Sequence, residues 1–422
     1  MTQKLSALVN ISQLVTCEES QGLGIIKEAA IIFNDDTGKI VDLGPEKNLQ
    51  KKYNFPEIIC HDVKNRPVLP GFIDPHTHFI FGGYRAEEYL ARLEGSSYLE
   101  IMEAGGGIEK TVKDTRNSSL QQLYNQGWQR LNKFLQQGIT TLEGKSGYGM
   151  ELDTELKQLE VMRKLNKNHP IDIKQTFLGA HVIPKEYKNN RERYINILIK
   201  EILPVVAKRN DVIFCDVFCD QGVYTVSEAR EILLAAQKLG LKSKIHVDEI
   251  AYVGGAELAA EIGAVSAEHL LKVSTKGIKL MKDEGVIPVI LPITAFSLQE
   301  EYAPARKMRS VGLDIALATD LNPGSSYSQS IPLLLALATI KLKLSIEEAI
   351  KGITINAARA LDLEDEIGSL APGKKADLVV LDAPGYEHLI YHIATNIVHS
   401  VYKEGEIVKK KDKEIFGGRG NS

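Results

Sequence analysis

Cysteine and tryptophan are scarce here: the chain of 422 residues carries four cysteines and one tryptophan. So few thiols exclude a disulfide-stapled scaffold, and no Cys-x-x-Cys pair is present to hold a structural metal. Cys215 and Cys219, in "FCDVFCD", fall in an apolar run and read as reduced, structural thiols that behave as small hydrophobes. Long apolar runs are missing too. None approaches the ~20 residues of a membrane-spanning helix, and "VIPVILPITAF" (286–296) is short and carries two prolines. No sign of charge dominates: 51 basic side chains stand against 55 acidic ones, a net charge of -4. That balance gives no basic footprint for nucleic acid or for an anionic membrane surface. The N-terminal "MTQKLSALVNISQLVTCEES" lacks the basic stretch and unbroken apolar core of a signal peptide, so a cytoplasmic location is expected.

What is present has two rhythms. Residues 1–67 and 361–422 read as short strands with turn punctuation, Asn34–Gly38 having the look of a hairpin loop. Between them, residues 68–360 alternate short apolar runs with segments of helical period. Eight runs recur: 68–78, 138–148, 172–181, 211–220, 242–249, 264–270, 286–294 and 314–320. Helical stretches such as 119–138 and 227–240 separate them, each ending in Gly. Eight strand–helix units predict an α/β protein, a (β/α)8 TIM barrel, in preference to an open doubly wound sheet.

In such a barrel the chemistry sits at the C-terminal ends of the strands. Those ends carry His76 and His78, then Glu143 to Tyr148, His181, Asp220, His246 with Glu249, His269 and Asp320. Five of the ten histidines thus reach one rim, while His61, His169, His388, His392 and His399 lie elsewhere and read as surface or packing residues. A lone His-x-His is usually ordinary packing; five histidines converging with carboxylates suit Zn²⁺ or Fe²⁺. A lone Glu such as Glu249 is usually a solvated loop acid, and Arg85 reads equally as a surface arginine. Three patterns are set aside. "GKSGYG" (144–149) lacks the first glycine of a P-loop; His388 and His392 lack the glutamate of a helical zinc pair; Gly105–Gly107 read as a lid or turn over the rim.

Taken together, "DPHTH" on the first strand, histidines on the fifth and sixth, "ATD" on the eighth and the tail "GSLAPGKKADLVVLD" resemble the amidohydrolase superfamily. The resemblance implies a small β-sandwich domain formed by the N- and C-terminal segments. Within the superfamily, "PGFIDPHTHFIFGGYRAEEY", "EGKSGYG", "LGAH", "HVDEI", "AEHL" and "ATDLNPGSS" are most similar to the cyclic amidohydrolases of histidine degradation, which open 4-imidazolone-5-propanoate to N-formimidoyl-L-glutamate. That likeness implies metal ligands His76, His78, His246 and Asp320. It implies substrate contacts from Arg85, Tyr148, His181, Glu249, Asn322, Gly324 and Ser325, with Glu249 and His269 as catalytic groups. One Zn²⁺ or Fe ion per chain is expected. Two-metal relatives bridge their ions with a carboxylated lysine at the end of the fourth strand, and 211–220 has no lysine, Lys145 and Lys174 lying on the second and third. The expected partner is a small imidazolone carboxylate, with no nucleic acid, no membrane and a homodimer as the oligomeric form. The alternatives are a deaminase of a guanine-like heterocycle on the same barrel and a non-catalytic metal-binding barrel.

Overall fold

A computed structural model describes residues 4–18, 22–95, 100 and 105–410. Residues 1–3, 19–21 and 411–422 of the terminal segments, and 96–99 and 101–104 of the barrel segment, lie outside the described residues. The chain opens with strands β1 (Leu5–Val15), β2 (Ile25–Asn34), β3 (Lys39–Pro45) and β4 (Ile59–Pro70). The predicted hairpin forms at Asn34: its side chain accepts from the N–H groups of Asp36 and Thr37, both at 2.9 Å, and its carbonyl accepts from Gly38 at 2.8 Å. This side-chain mimicry of a backbone turn is what asparagine does well.

Eight strands follow: β5 (Phe72–Asp74), β6 (Ile139–Lys145), β7 (Asp172–Ala180), β8 (Val212–Cys219), β9 (Lys242–Val247), β10 (Ser266–His269), β11 (Ile287–Ile290) and β12 (Ala316–Leu317). Each pairs in parallel with the next, giving one eight-stranded sheet in chain order. Helices Leu120–Gln136 and Val226–Lys238 fill the predicted crossovers; capping boxes at Ser119 and Thr225 start them. Gly138 and Gly240, at φ 93° and 89°, turn the chain back in the left-handed region. The ring is completed just beyond β5 and β12, where His78 N–H donates to Leu321 O at 2.9 Å and Asp320 N–H to His76 O at 3.1 Å. The closure therefore runs through the rim histidines and Asp320.

Two expected strands differ. The run 68–78 divides: Val68–Pro70 belong to β4 and Phe72–Asp74 form β5, with Thr77 bridging to Leu321 beyond it; at the junction Gly71 passes close under Thr140, leaving no room for a side chain. The run 286–294 stops at Ile290, since Pro292 is well placed in the first turn of a helix, here Pro292–Leu298.

β13 (Leu378–Leu381), β14 (Val398–Lys403) and β15 (Glu406–Lys410) return to the first four strands, in the sheet order β15-β14-β13-β4-β1-β2-β3. Alternation divides their side chains. Val68, Leu378 and Val380 pack with Leu8, Ile31 and Phe33 inside the small sheet's own core, while Leu69, Val379 and Leu381 join the barrel's core. Ion pairs clamp the two units: Asp172, at the start of β7, lies 2.9 Å from Lys403, which is 2.6 Å from Asp377. All four cysteines are unpaired, Cys60 exposed and the others buried. Among the described residues no helix is long and apolar enough to cross a membrane.

Candidate active site

Inward-facing positions near the strand ends carry polar and charged groups where most barrels carry branched apolar residues. His76 and His78 follow β5, and both are buried. His78 Nε2 lies 3.3 Å from His76 Nε2 and 3.3 Å from His246 Nε2. Asp320 Oδ1 is 3.4 Å from His76 Nε2 and 3.7 Å from His78 Nε2. A tetrahedron whose corners stand about 2.1 Å from its centre has edges of about 3.4 Å; these four contacts match such edges, and the three histidines offer nitrogens that all lie within 4.8 Å of one another.

The ring orientations decide what these atoms offer. His76 Nδ1 is 2.6 Å from Glu268 Oε2, and His246 Nδ1 is 2.8 Å from Asp216 Oδ2. A proton on each Nδ1, facing its carboxylate, would leave the Nε2 lone pairs of both rings turned toward His78 and Asp320. Lone pairs facing one another across 3.3 Å repel unless a cation lies between them. The surrounding charges ask for one as well: Lys145 and Lys244 stand against Glu143, Asp216, Glu268 and Asp320, two positive charges short. Burial would lower His76, yet Glu268 pulls its pKa up to about 9, so an ion binding at Nε2 would displace a proton held there. The donor set fits a divalent ion.

Beside the cluster, His269 Nδ1 lies 3.4 Å from Glu249 Oε1. Burial, with the Asp320 and Asp220 carboxylates behind it, pushes the Glu249 carboxyl up to about 8. His181 stacks on His78 at 5.2 Å between ring centroids, and its Nδ1 meets Gly147 O at 3.1 Å. Burial lowers His181 to about 3 and takes His269 well below its usual range, so both are neutral imidazoles. Tyr148 packs against His78 and His181, and burial raises its phenol, which keeps the O–H as a donor. His269 and Asp320 have φ of 72° and 53°. Two non-glycine residues in this region at one rim mark backbone bent to aim side chains.

The remaining predicted residues meet on one side of the rim. Arg85 packs so closely over Gly324 that a Cβ there would collide with its Nη1. Its Nε and Nη2 each lie 2.8 Å from Glu88 Oε2, an acidic partner not anticipated from the sequence. Asn322 is used up locally: its Oδ1 accepts from Gly324 and Ser325 N–H at 2.8 Å each, and its Nδ2 donates to Asp320 O at 2.8 Å. It shapes the loop that presents Asp320, Gly324 and Ser325. Gly107 caps the helix Ile108–Asn117, giving the glycine run a turn. His388 and His392 pair with each other at 3.2 Å, away from the rim.

Sequence reasoning missed Glu268, Asp216, Lys244 and Thr294, which donates to Asp320 Oδ2 at 2.7 Å, and gave Lys145, though placed at the rim, no role. The signal was available for some. Glu143 and Lys145, and Lys244 and His246, are i and i+2 pairs inside strands that must bury both positions.

A model of the amidohydrolase family matches residues 68–408. The imidazolonepropionase of Clostridium tetani is 50% identical over 410 residues, covering 95% of this chain and 97% of that protein. The imidazolonepropionase of Parabacteroides distasonis is 47% identical, covering 94% and 97%. Among solved structures, a Xanthomonas campestris adenosine deaminase with bound zinc aligns at TM-score 0.73, with 17% identity over 98% of this chain and 95% of that one. A guanine deaminase from C. acetobutylicum aligns at TM-score 0.72, with 20% identity over 96% and 100%. Those two likenesses speak to the fold alone. The long, close matches go further: the chain belongs to the amidohydrolase family, within its imidazolonepropionase branch.

Proposed function

We infer that the chain is a metal-dependent cyclic amidohydrolase that opens the ring of 4-imidazolone-5-propanoate with one water to give N-formimidoyl-L-glutamate. The observation that carries the reading is the convergence of His76, His78 and His246 Nε2 with Asp320 Oδ1 beside the Glu249–His269 pair. His76, His78, His246 and Asp320 would hold one Zn²⁺ or Fe ion. Bound there, the ion would supply Lewis-acid chemistry, lowering the pKa of a water toward ~7 and polarising the ring carbonyl.

The other roles belong to the chain's own side chains. Glu249 takes a proton from the attacking water and returns it to the departing ring nitrogen, a task suited to a carboxyl raised to about 8. The water oxygen bonds to the carbonyl carbon, the carbon–nitrogen bond of the ring breaks, and no ammonia leaves. His269, neutral, orients the carbonyl through a hydrogen bond. His181, with Nδ1 committed to Gly147 O, presents Nε2 to the ring. Tyr148 donates its O–H, and Arg85 receives the propanoate across Gly324, with Ser325 beside it. Asn322 acts through the loop it shapes. The same reading places the enzyme in the cytoplasm, where its unpaired thiols stay reduced, as a homodimer.

Product analysis tests this. Purified protein given the imidazolone should yield N-formimidoyl-L-glutamate stoichiometrically without ammonia. Ammonia released in step with substrate loss would make the chain a deaminase instead.

A further inference from the structure

Beneath the ligands the barrel buries a lysine that none of the roles above uses. Lys145, at the end of β6, is fully buried. Its Nζ lies 3.1 Å from Glu143 Oε1, 2.7 Å from Asp216 Oδ2 and 2.9 Å from Glu268 Oε2. Of its three N–H donors two are hydrogen-bonded, to Glu143 and Asp216, and Glu268 adds a third carboxylate at ion-pair distance. Two of those oxygens are the ones that meet the ligands: Glu268 Oε2 faces His76 Nδ1, and Asp216 Oδ2 faces His246 Nδ1. Lys244, two residues before His246 on β9, grips the far side of the same group. Its Nζ is 3.1 Å from Glu268 Oε1 and 2.9 Å from Glu143 Oε2, and it donates to Pro75 O, next to His76, at 3.1 Å.

We propose that Lys145 is a positioning residue of the metal site, anchoring the two carboxylate oxygens that orient His76 and His246. It stands where side chains from four strands meet, so one ammonium couples the aim of two ligands that are far apart in sequence. Asp216, Glu143 and Glu268 also belong to acidic groups that could hold a cation, and Lys145 already fills the space among them. A fixed ammonium there opposes a second divalent ion by charge repulsion. Removing it would free Asp216 and Glu268 to turn toward other partners, and the imidazole rings would lose their set orientation.

This rests on the ligand assignment proposed above, and the test separates the two. Zn²⁺ affinity is measured by chelator competition, and the visible absorption of the Co²⁺-loaded protein is recorded, for the wild type, Lys145→Met, Lys145→Met/Glu143→Gln and His246→Ala. The double variant removes one buried anion together with the cation and carries the test if the single variant fails to fold. Thermal unfolding of the metal-free proteins serves as the check on folding. Folded Lys145 variants should bind Zn²⁺ roughly 10- to 100-fold more weakly, with an altered Co²⁺ spectrum. Wild-type affinity and spectrum in the folded double variant, with affinity lost in His246→Ala, would overturn the role of Lys145 alone. Wild-type affinity in His246→Ala would overturn the ligand assignment itself.

Discussion

Glu249 owes its position to Asp220, whose Oδ2 accepts from Glu249 N–H at 2.7 Å and Ile250 N–H at 3.1 Å, while Oδ1 takes Ala251 N–H at 3.1 Å. One carboxylate thus pins the turn that carries the proposed proton carrier. Replacing Glu249 with Gln keeps that turn and removes the proton acceptor. The expected result is a loss in kcat of about 10²–10⁴-fold with metal content unchanged; a variant that lost its metal in parallel would show that Glu249 works as a ligand. Arg85 is tested at the same scale. Arg85→Met should weaken binding of the acid by about 2–5 kcal/mol, read as a raised KM, part of that being repulsion of the substrate carboxylate by Glu88 once its partner is gone. Gly324→Ala should raise KM by less, since the added methyl meets Arg85 Nη1. Equal losses for a neutral amide analogue would remove Arg85 from the role of carboxylate clamp.

At the scale of elements, His169 joins two helices to a strand. It ends the helix Leu152–Asn168, stands edge-on to Trp128 at 5.0 Å and pairs through Nε2 with Asn132 Oδ1 at 3.2 Å. Its Nδ1 accepts from Ile171 N–H at 3.1 Å, so protonation there would set two N–H groups against each other. Burial lowers its pKa from 6.5 to about 4. The unfolded chain therefore binds the proton more readily between pH ~6.5 and ~4, and the folded state loses stability as pH falls through that window, by at most about 1.4 kcal/mol per pH unit. His169→Gln should flatten this part of the thermal-midpoint profile from pH 7.5 to 4.5. An unchanged slope would mean that His169 titrates alike in both states.

The elements were largely legible in the sequence, for physical reasons that differ by residue. Apolar runs that begin at β6 to β10 have one period and one environment, so their ends fell within a few residues of prediction. Pro292 misled only in kind: an apolar stretch around a proline suits a helix's first turn as well as a strand's end. The reading of His76, His78, His246 and Asp320 as one ligand set came from the family resemblance; that they share a rim was legible because two periodicities fix which strand ends lie together. Glu268, Asp216 and Lys145 were not, because a charge in an apolar run gives no hint of its partners until the strands are packed. Arg85's pairing with Glu88 was hidden for a related reason: i, i+3 neighbours meet only when the chain between them is helical, and here the helix starts at Ala86.

For the whole molecule, the barrel's closure and its candidate metal centre are the same place, His76–His78 and Asp320–Leu321 exchanging backbone hydrogen bonds there. The small sheet is clamped near the opposite end, through Asp172, Lys403 and Asp377. An ion bound only by the folded chain should thus stabilise the whole barrel, by about 4 kcal/mol at a thousand-fold excess over its dissociation constant; stripping it should lower the thermal midpoint, and re-addition should restore it. The most direct measurement joins metal and reaction. Metal-free protein is titrated with Zn²⁺ or Fe²⁺ while turnover of 4-imidazolone-5-propanoate is followed. Turnover should rise from near zero in a straight line and break at one ion per chain. Full turnover without metal, or a break at two ions per chain, would contradict a single-ion centre built on His76, His78, His246 and Asp320.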